Sequence, residues 1–168
     1  MTIVLYVTTV FAPMLIEALL SRRNERALRA MGAAEPEDDV YAWMQVAYPA
    51  LFLAILAEGV YRDAPRDVIA AAGFTTFIAA KLLKYWAVST LGVRWTFRVL
   101  VPEGSTRIVA GPYQLMRHPN YVAVLGEFAG AALLVHAFVT GAIALLSFGA
   151  LIRARIRVEE RALGLRQR

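Results

Sequence analysis

Residues 121–152 read YVAVLGEFAGAALLVHAFVTGAIALLSFGALI, and in these 32 positions the only acidic or basic side chains are Glu127 and His136. A helix crosses about 30 Å of hydrocarbon with about 20 apolar residues at 1.5 Å each. The stretch is too long for one crossing and carries internal glycines. It therefore predicts a hairpin of two short helices turning near residues 136–141. Working back toward the amino end, residues 3–20, 41–60 and 68–91 form three further apolar spans. The expected fold is all-α and polytopic: one domain over residues 1–168, with about five transmembrane helices. Residues 1–91 supply three of them. Residues 92–168 supply a cytosolic segment, the hairpin and a tail helix.

Composition agrees. The chain has 168 residues, 59% apolar and 18% charged, with a mean hydropathy of +0.53. A soluble domain averages about 45–50% apolar and about 25% charged. Cysteine is absent, which excludes disulfides, thiolate metal sites and thiol nucleophiles. The net charge of +5 does not point to nucleic acid, because the basic residues sit in short tracts between apolar runs. Arg22, Arg23, Arg26 and Arg29 follow the first span. Lys81, Lys84, Arg94, Arg98, Arg107 and Arg117 lie at or after the end of the third. Arg153, Arg155, Arg157, Arg161, Arg166 and Arg168 form the tail, against only Arg62 and Arg66 on the other side. The positive-inside rule places the amino terminus outside and the carboxyl terminus in the cytosol. The first span has no basic leader or small-residue cleavage site and reads as a retained helix. Residues 31–39 (MGAAEPEDD) read as a mobile acidic linker. Lys81 and Lys84 read as snorkelling side chains, Trp95 as an interfacial anchor, and His136 as incidental.

Chemistry-bearing residues concentrate in residues 92–122, GVRWTFRVLVPEGSTRIVAGPYQLMRHPNYV. Residues 95–101 and 107–110 look extended around a Pro102-Glu103-Gly104-Ser105 turn. Gly111-Pro112 opens a helical turn. His118 is held out of the helical region by Pro119, which can start the fourth span. That helix end offers unpaired N–H groups to an anionic ligand group. In the tail, residues 153–165 (RARIRVEERALGL) continue as an amphipathic helix carrying Arg155, Glu159 and Glu160. These carboxylates suit either a solvated face or a grip on ribose hydroxyls.

Taken together, Gly111-Pro112-Tyr113, Arg117-His118-Pro119-Asn120-Tyr121 and Arg155-Ile156-Arg157-Val158-Glu159-Glu160 with Leu163 resemble the isoprenylcysteine carboxyl methyltransferase family of integral membrane methyltransferases. The phrases RWTFRVLV and HPNYVAVLGE are more loosely similar to small bacterial members associated with alkylpyrone methylation. The resemblance implies S-adenosylmethionine bound between the RHPNY segment and the tail, in a bacterial cell membrane. His118, Pro119, Tyr121 and Tyr113 would line the cofactor pocket. Glu159 or Glu160 would hold ribose hydroxyls or the amino group, and Arg155 would orient a carboxylate, a bidentate task suited to guanidinium. Methyl transfer from a sulfonium needs no metal; alignment and desolvation supply the catalysis.

Glu127, six residues after Tyr121, lies at a depth where an ionisable group is a functional candidate. It reads as a substrate-facing carboxylate or as one side of an interhelical hydrogen bond. For a neutral hydroxyl acceptor, Glu127 or His118 would serve as base. Gly126 and Gly130 form a GxxxG pair that admits a close helix neighbour. The expected partner is a lipophilic small molecule from the bilayer, methylated at an enol or carboxylate oxygen. An alkylpyrone-type acceptor leads, with a prenylated cysteine carboxylate second. An NADPH-dependent lipid reductase, prompted by a similar RHPNY element, and a non-catalytic membrane scaffold or transporter are the alternatives.

Overall fold

The structure, a computed structural model, describes residues 3–164. Five helices account for most of it: α1 (Ile3–Ala30), α2 (Tyr41–Tyr61), α3 (Val68–Leu91), α4 (Pro119–Leu134) and α5 (Phe138–Ala162). Four of them, α1, α2, α3 and α5, are long and apolar enough to cross a membrane. At 16 residues, α4 rises only about 24 Å, short of a full perpendicular crossing. The outer surface matches an apolar solvent. Leu15, Ile16, Leu19, Val46, Leu82 and Leu146 all lie more than half exposed, as lipid-facing side chains must.

The hairpin within residues 121–152 exists and turns near the expected place, but its proportions differ from expectation. The turn falls at residues 135–137, with His136 at φ +54°. From there α5 runs 25 residues without a break into the arginine tail, so the apolar span and the amphipathic tail are one helix. Likewise α1 does not end near Leu20 but continues through Arg22, Arg23, Arg26 and Arg29. No residue in that stretch stops a helix, and buried Ser21 and Asn24 reward its continuation. Ser21 Oγ accepts from Phe97 N–H at 2.8 Å, and Asn24 Nδ2 donates to the Gly92 and Trp95 carbonyls at 3.1 and 2.7 Å.

Packing centres on α3 against α4, where glycine replaces side chains. A Cβ on Gly130 would fall 2.5 Å from Phe77 N, and one on Gly73 would fall 2.3 Å from Leu134 N. The backbones therefore meet directly, as the GxxxG spacing anticipates. Next to this seam, Phe52 stacks on Phe128 at 4.6 Å, and Phe148 and Tyr48 meet Phe128 edge-on.

The end remote from the arginine tracts is tied by polar clasps. Glu58 of α2 accepts from Thr140 N–H and Thr140 Oγ1, both at 2.7 Å, satisfying the open first turn of α5. Asp67 caps α3 by accepting from Ile69 and Ala70 N–H at 3.0 Å, and it meets His136 Nε2 at 3.1 Å. His136 is thus a structural contact of the turn. The Ala70 N–H bond foremost, with the His136 contact, holds the Asp67 carboxyl below its usual range. A depressed folded-state value stabilises above the ordinary aspartate range and is lost as pH falls through that folded value. Asp67→Ala should therefore lower the melting temperature at neutral pH. The difference from the parent should close in strong acid, read by thermal unfolding in detergent across pH.

At the basic end, residues 95–101 and 107–110 are an irregular segment, extended at Trp95 and Ala110, with one isolated antiparallel bridge between Ala34 and Val101 and no strand among the described residues. Residues 31–39 are not a free linker. Glu35 receives Arg29 and Arg98 at 2.5 Å each, and Asp38 pairs with Arg161. Burial tends to raise the Glu35 carboxyl, but the hydrogen bonds from Arg98 and Arg29 prevail and hold it low. The acidic run answers the arginines around it. Trp95 is buried rather than an interfacial anchor, 3% exposed.

Candidate active site

One cavity of about 720 Å³ enters the bundle from the basic end, within the range of small-molecule sites. Its outer part is polar. Tyr113, Arg117, His118, Asn120, Tyr121, Arg155, Glu159 and Glu160 line it. Its inner part is largely apolar, walled by Phe11 and Met14 of α1, Met44 and Pro49 of α2, Val124 of α4 and Phe148 of α5.

Local chain chemistry builds the outer part. Gly111, at φ +53°, turns the chain under Thr90, where a Cβ would come within 2.5 Å of Oγ1. The helical turn Gly111–Gln114 then presents Tyr113. His118 sits at the head of α4 with non-helical backbone, as its position before proline requires. Its ring stacks on Tyr121 at 5.7 Å. It faces two carboxylates, with Nδ1 3.9 Å from Glu159 and Nε2 3.8 Å from Glu160. The head of α4 is thus not an open anion seat.

Arg155 is buried and already engaged. Its Nε donates to Tyr121 Oη at 2.8 Å and lies 3.2 Å from Glu159 Oε1, while Nη1 reaches Asp39 Oδ1 at 3.3 Å. Tyr121 in turn donates to Glu159. Asp39 also accepts from Val99 N–H at 2.8 Å and Tyr41 N–H at 3.1 Å. This aspartate therefore joins the start of α2, the irregular segment and α5 at one point. Sequence reading passed over it, although an acid two residues before an apolar helical run is a capping signal. The adjacent glutamates separate by role. Glu159 is committed to Tyr121 and Arg155, whereas among the described residues Glu160 has only the His118 approach. Burial, and then the charge of Glu159, push the Tyr113 phenol well above its usual range, so it stays a neutral hydroxyl.

Asn120 Oδ1 is buried without a hydrogen-bond partner. A buried acceptor left open on a cavity wall calls for a donor from a ligand. Together with Glu160 and His118 it makes an acceptor-rich surface that suits hydroxyl, amino and cationic groups.

Two of the expected site residues do not reach the cavity. Pro119 is buried behind the wall, where it starts α4. Glu127 is fully buried and lies behind Tyr48 and Lys84, which do line the space. There it joins a cluster drawn from four helices. Lys81 Nζ lies 2.9 Å from Glu127 and 3.3 Å from Glu17. Lys84 Nζ lies 2.6 Å from Glu17 and 3.4 Å from Glu127, and Tyr48 donates to Glu127. Lys81 and Lys84 are 6% and 3% exposed, so they do not snorkel. Two ammoniums balance two carboxylates, the arrangement that makes buried charge tolerable. The clue in the sequence was that Glu17, Lys81, Lys84 and Glu127 all fall within apolar spans, where a charge is costly unless it is paired. Glu17 alone looked like an interruption.

Apolar helices of membrane-spanning length around a cavity with a polar, carboxylate-bearing mouth and an apolar interior define a helical membrane protein with a small-molecule site. The chain belongs to the Isoprenylcysteine carboxyl methyltransferase (ICMT) family, which matches residues 71–164, and is thus a membrane methyltransferase. The matched segment holds His118, Tyr121, Glu127, Arg155, Glu159 and Glu160, while Glu17, Asp39 and Tyr48 lie outside it. The chain is also 29% identical over 147 residues to Bacillus subtilis (strain 168) "Uncharacterized protein YpbQ", covering 88% of each. It is 25% identical over 146 residues to an "Uncharacterized protein" of Haemophilus influenzae, covering 86% of this chain and 84% of that one. No solved structure matches.

Proposed function

We propose that the protein transfers a methyl group from S-adenosylmethionine to an oxygen of a lipophilic acceptor, the donor held at the polar end of the cavity and the acceptor at the apolar end. The observation that carries this reading is the continuity of the cavity. One space joins an acceptor-rich wall of His118, Asn120 and Glu160 to a hydrocarbon-lined wall between α1, α2 and α5. Family membership supports it, since these methyltransferases generally use this donor.

When bound, the donor supplies an electrophilic methyl on a sulfonium. The protein's residues then have distinct tasks. Glu160 accepts from ribose hydroxyls or the amino group, and Asn120 Oδ1 takes a further donor. Arg155 is a positioning residue. Its Nε and Nη1 are engaged by Tyr121, Glu159 and Asp39, so it holds the wall in place, and the rest of its five-donor fork is left for a carboxylate. Tyr121 and His118 form a stacked floor. The inner wall excludes water, which strengthens the fixed charges around the transfer. Glu127 acts through Tyr48 and Lys84 rather than by touching the acceptor. The arginine-rich end faces the cytosol, by the positive-inside rule, and the donor enters there. The acceptor, an alkylpyrone-type enol in the leading reading, comes from the bilayer.

Calorimetric titration of the full chain in nanodiscs with S-adenosylhomocysteine tests this. Binding is expected, with His118→Ala and Glu160→Ala each weakening it at least about tenfold, equal to about 1.4 kcal/mol. Binding of NADPH instead would favour a reductase. Binding of neither would remove the assignment.

A further inference from the structure

On its lipid-facing side, α1 changes from hydrocarbon to guanidinium within one turn. Leu15 and Leu19 are 64% and 58% exposed, and steps of four and three residues return to the same side of a helix. The next two positions on that side are Arg22 and Arg26, with Arg23 beside them, and all three are exposed. From Ile3, where α1 begins, the rise to Arg22 is about 29 Å at about 1.5 Å per residue. That is the thickness of a hydrocarbon core, so the stripe turns basic at the level of lipid phosphates.

These guanidiniums are free while others at the same end are engaged. Arg29 sits on Glu35, Arg98 on Glu35 and Glu25, Arg155 on Asp39 and Glu159, and Arg161 on Asp38. Among the described residues, Arg22, Arg23 and Arg26 have no hydrogen bond or ion pair. The acid between them, Glu25, accepts from buried Ser21 and approaches Arg98, away from the lipid face. On α5, exposed Leu146, Arg153 and Arg157 repeat the pattern with two guanidiniums, but Glu160 follows one turn on.

We infer that the Arg22–Arg23–Arg26 stripe binds an anionic phospholipid. Arg22 and Arg26 hold its phosphate, Arg23 borders it, and an acyl chain lies along Leu15 and Leu19. The planar guanidinium fork matches phosphate oxygens two at a time. A zwitterionic head group would bring its own cation to three positive charges, and a free phosphate would lack the chain that the leucines face. Leu15 and Arg22 also line the cavity, and Phe11, Met14 and Ala18 continue that wall of α1. A lipid clamped at Arg22 therefore fixes the depth and rotation of the helix that forms this wall. The stripe lies outside the segment the family matches, and its occupancy does not depend on which donor or acceptor the cavity takes.

The test uses the full chain in phosphatidylcholine nanodiscs with an increasing fraction of phosphatidylglycerol. Native mass spectrometry counts the lipids retained on release into detergent, and thermal unfolding is recorded in the same discs. The parent should retain phosphatidylglycerol over phosphatidylcholine at least about tenfold and melt higher as its fraction rises. Replacing all three residues, Arg22→Gln, Arg23→Gln and Arg26→Gln, should reduce that preference at least about tenfold and flatten the melting shift. A basic residue near an anionic surface contributes roughly fivefold. The corresponding triple lysine variant keeps the charge and should keep most of the preference, which separates lost charge from a disturbed helix. Arg62→Gln with Arg66→Gln, at the opposite end, should change nothing, and Arg153→Gln with Arg157→Gln should cost less than the α1 triple. A parent without preference, or a glutamine triple that retains it, overturns the assignment. So does an equal loss from all three glutamine sets, which would mean diffuse surface charge. Displacement of the retained lipid by inorganic phosphate at matched ionic strength would show that the leucine stripe takes no part, and would also overturn it.

Discussion

Gly130→Ala is expected to cost about 3 kcal/mol of stability, the upper end of what overpacking a filled interior does. The added Cβ falls 2.5 Å from Phe77 N and 2.9 Å from the Gly73 carbonyl. Those are backbone atoms of a helix, and no rotamer change relieves the overlap. The α3 and α4 axes would have to separate, opening the seam along which Lys81, Lys84 and Glu127 meet. Gly149→Ala supplies the control, because a Cβ there meets nothing within 4 Å. It should be neutral or mildly stabilising, as alanine is preferred in a helix. Unfolding in mixed micelles measures both. Equal effects at the two positions would mean that α3 and α4 do not pack backbone to backbone.

Lys84→Met should be comparably severe, about 3–5 kcal/mol, the cost of breaking a buried ion pair by removing one partner. Methionine fills much of the lysine volume, so the loss is electrostatic. Glu17 and Glu127 would remain together with Lys81 as their only cation. The double change Lys84→Met with Glu17→Gln restores neutrality between Lys81 and Glu127. It should recover a large part of the loss, and the non-additivity in a double-mutant cycle isolates the coupling. Additive losses would show that the two residues do not interact.

Much of the helical plan was legible because membrane crossing imposes a length and a polarity that composition cannot hide. The apolar runs around Tyr41, Val68 and Phe138 became α2, α3 and α5, and Pro119 began α4. The outer site was legible for a different reason. His118, Tyr121, Glu159 and Glu160 sit in compact motifs on either side of a hairpin, and antiparallel packing of α4 on α5 brings them together. What escaped reading depended on distant partners. Glu17, Lys81 and Lys84 look like span edges until α1, α3 and α4 are assembled. Asp39 looks like part of a solvated run until Arg155 and Val99 arrive beside it. The extent of α1 was underestimated because charge was taken as the end of a helix, whereas arginine is a good helix former. Glu127 was singled out for its depth, but its side chain stops one layer short of the cavity.

The central claim is that the RHPNY segment and the end of α5 enclose the methyl donor. Determining the structure of the full chain in nanodiscs with S-adenosylhomocysteine bound tests it most directly. Ligand density touching His118 and Glu160, with its sulfur turned toward Tyr48 and Lys84, is the predicted result. Density lodged elsewhere in the bundle, with His118 and Glu160 left bare, would contradict it.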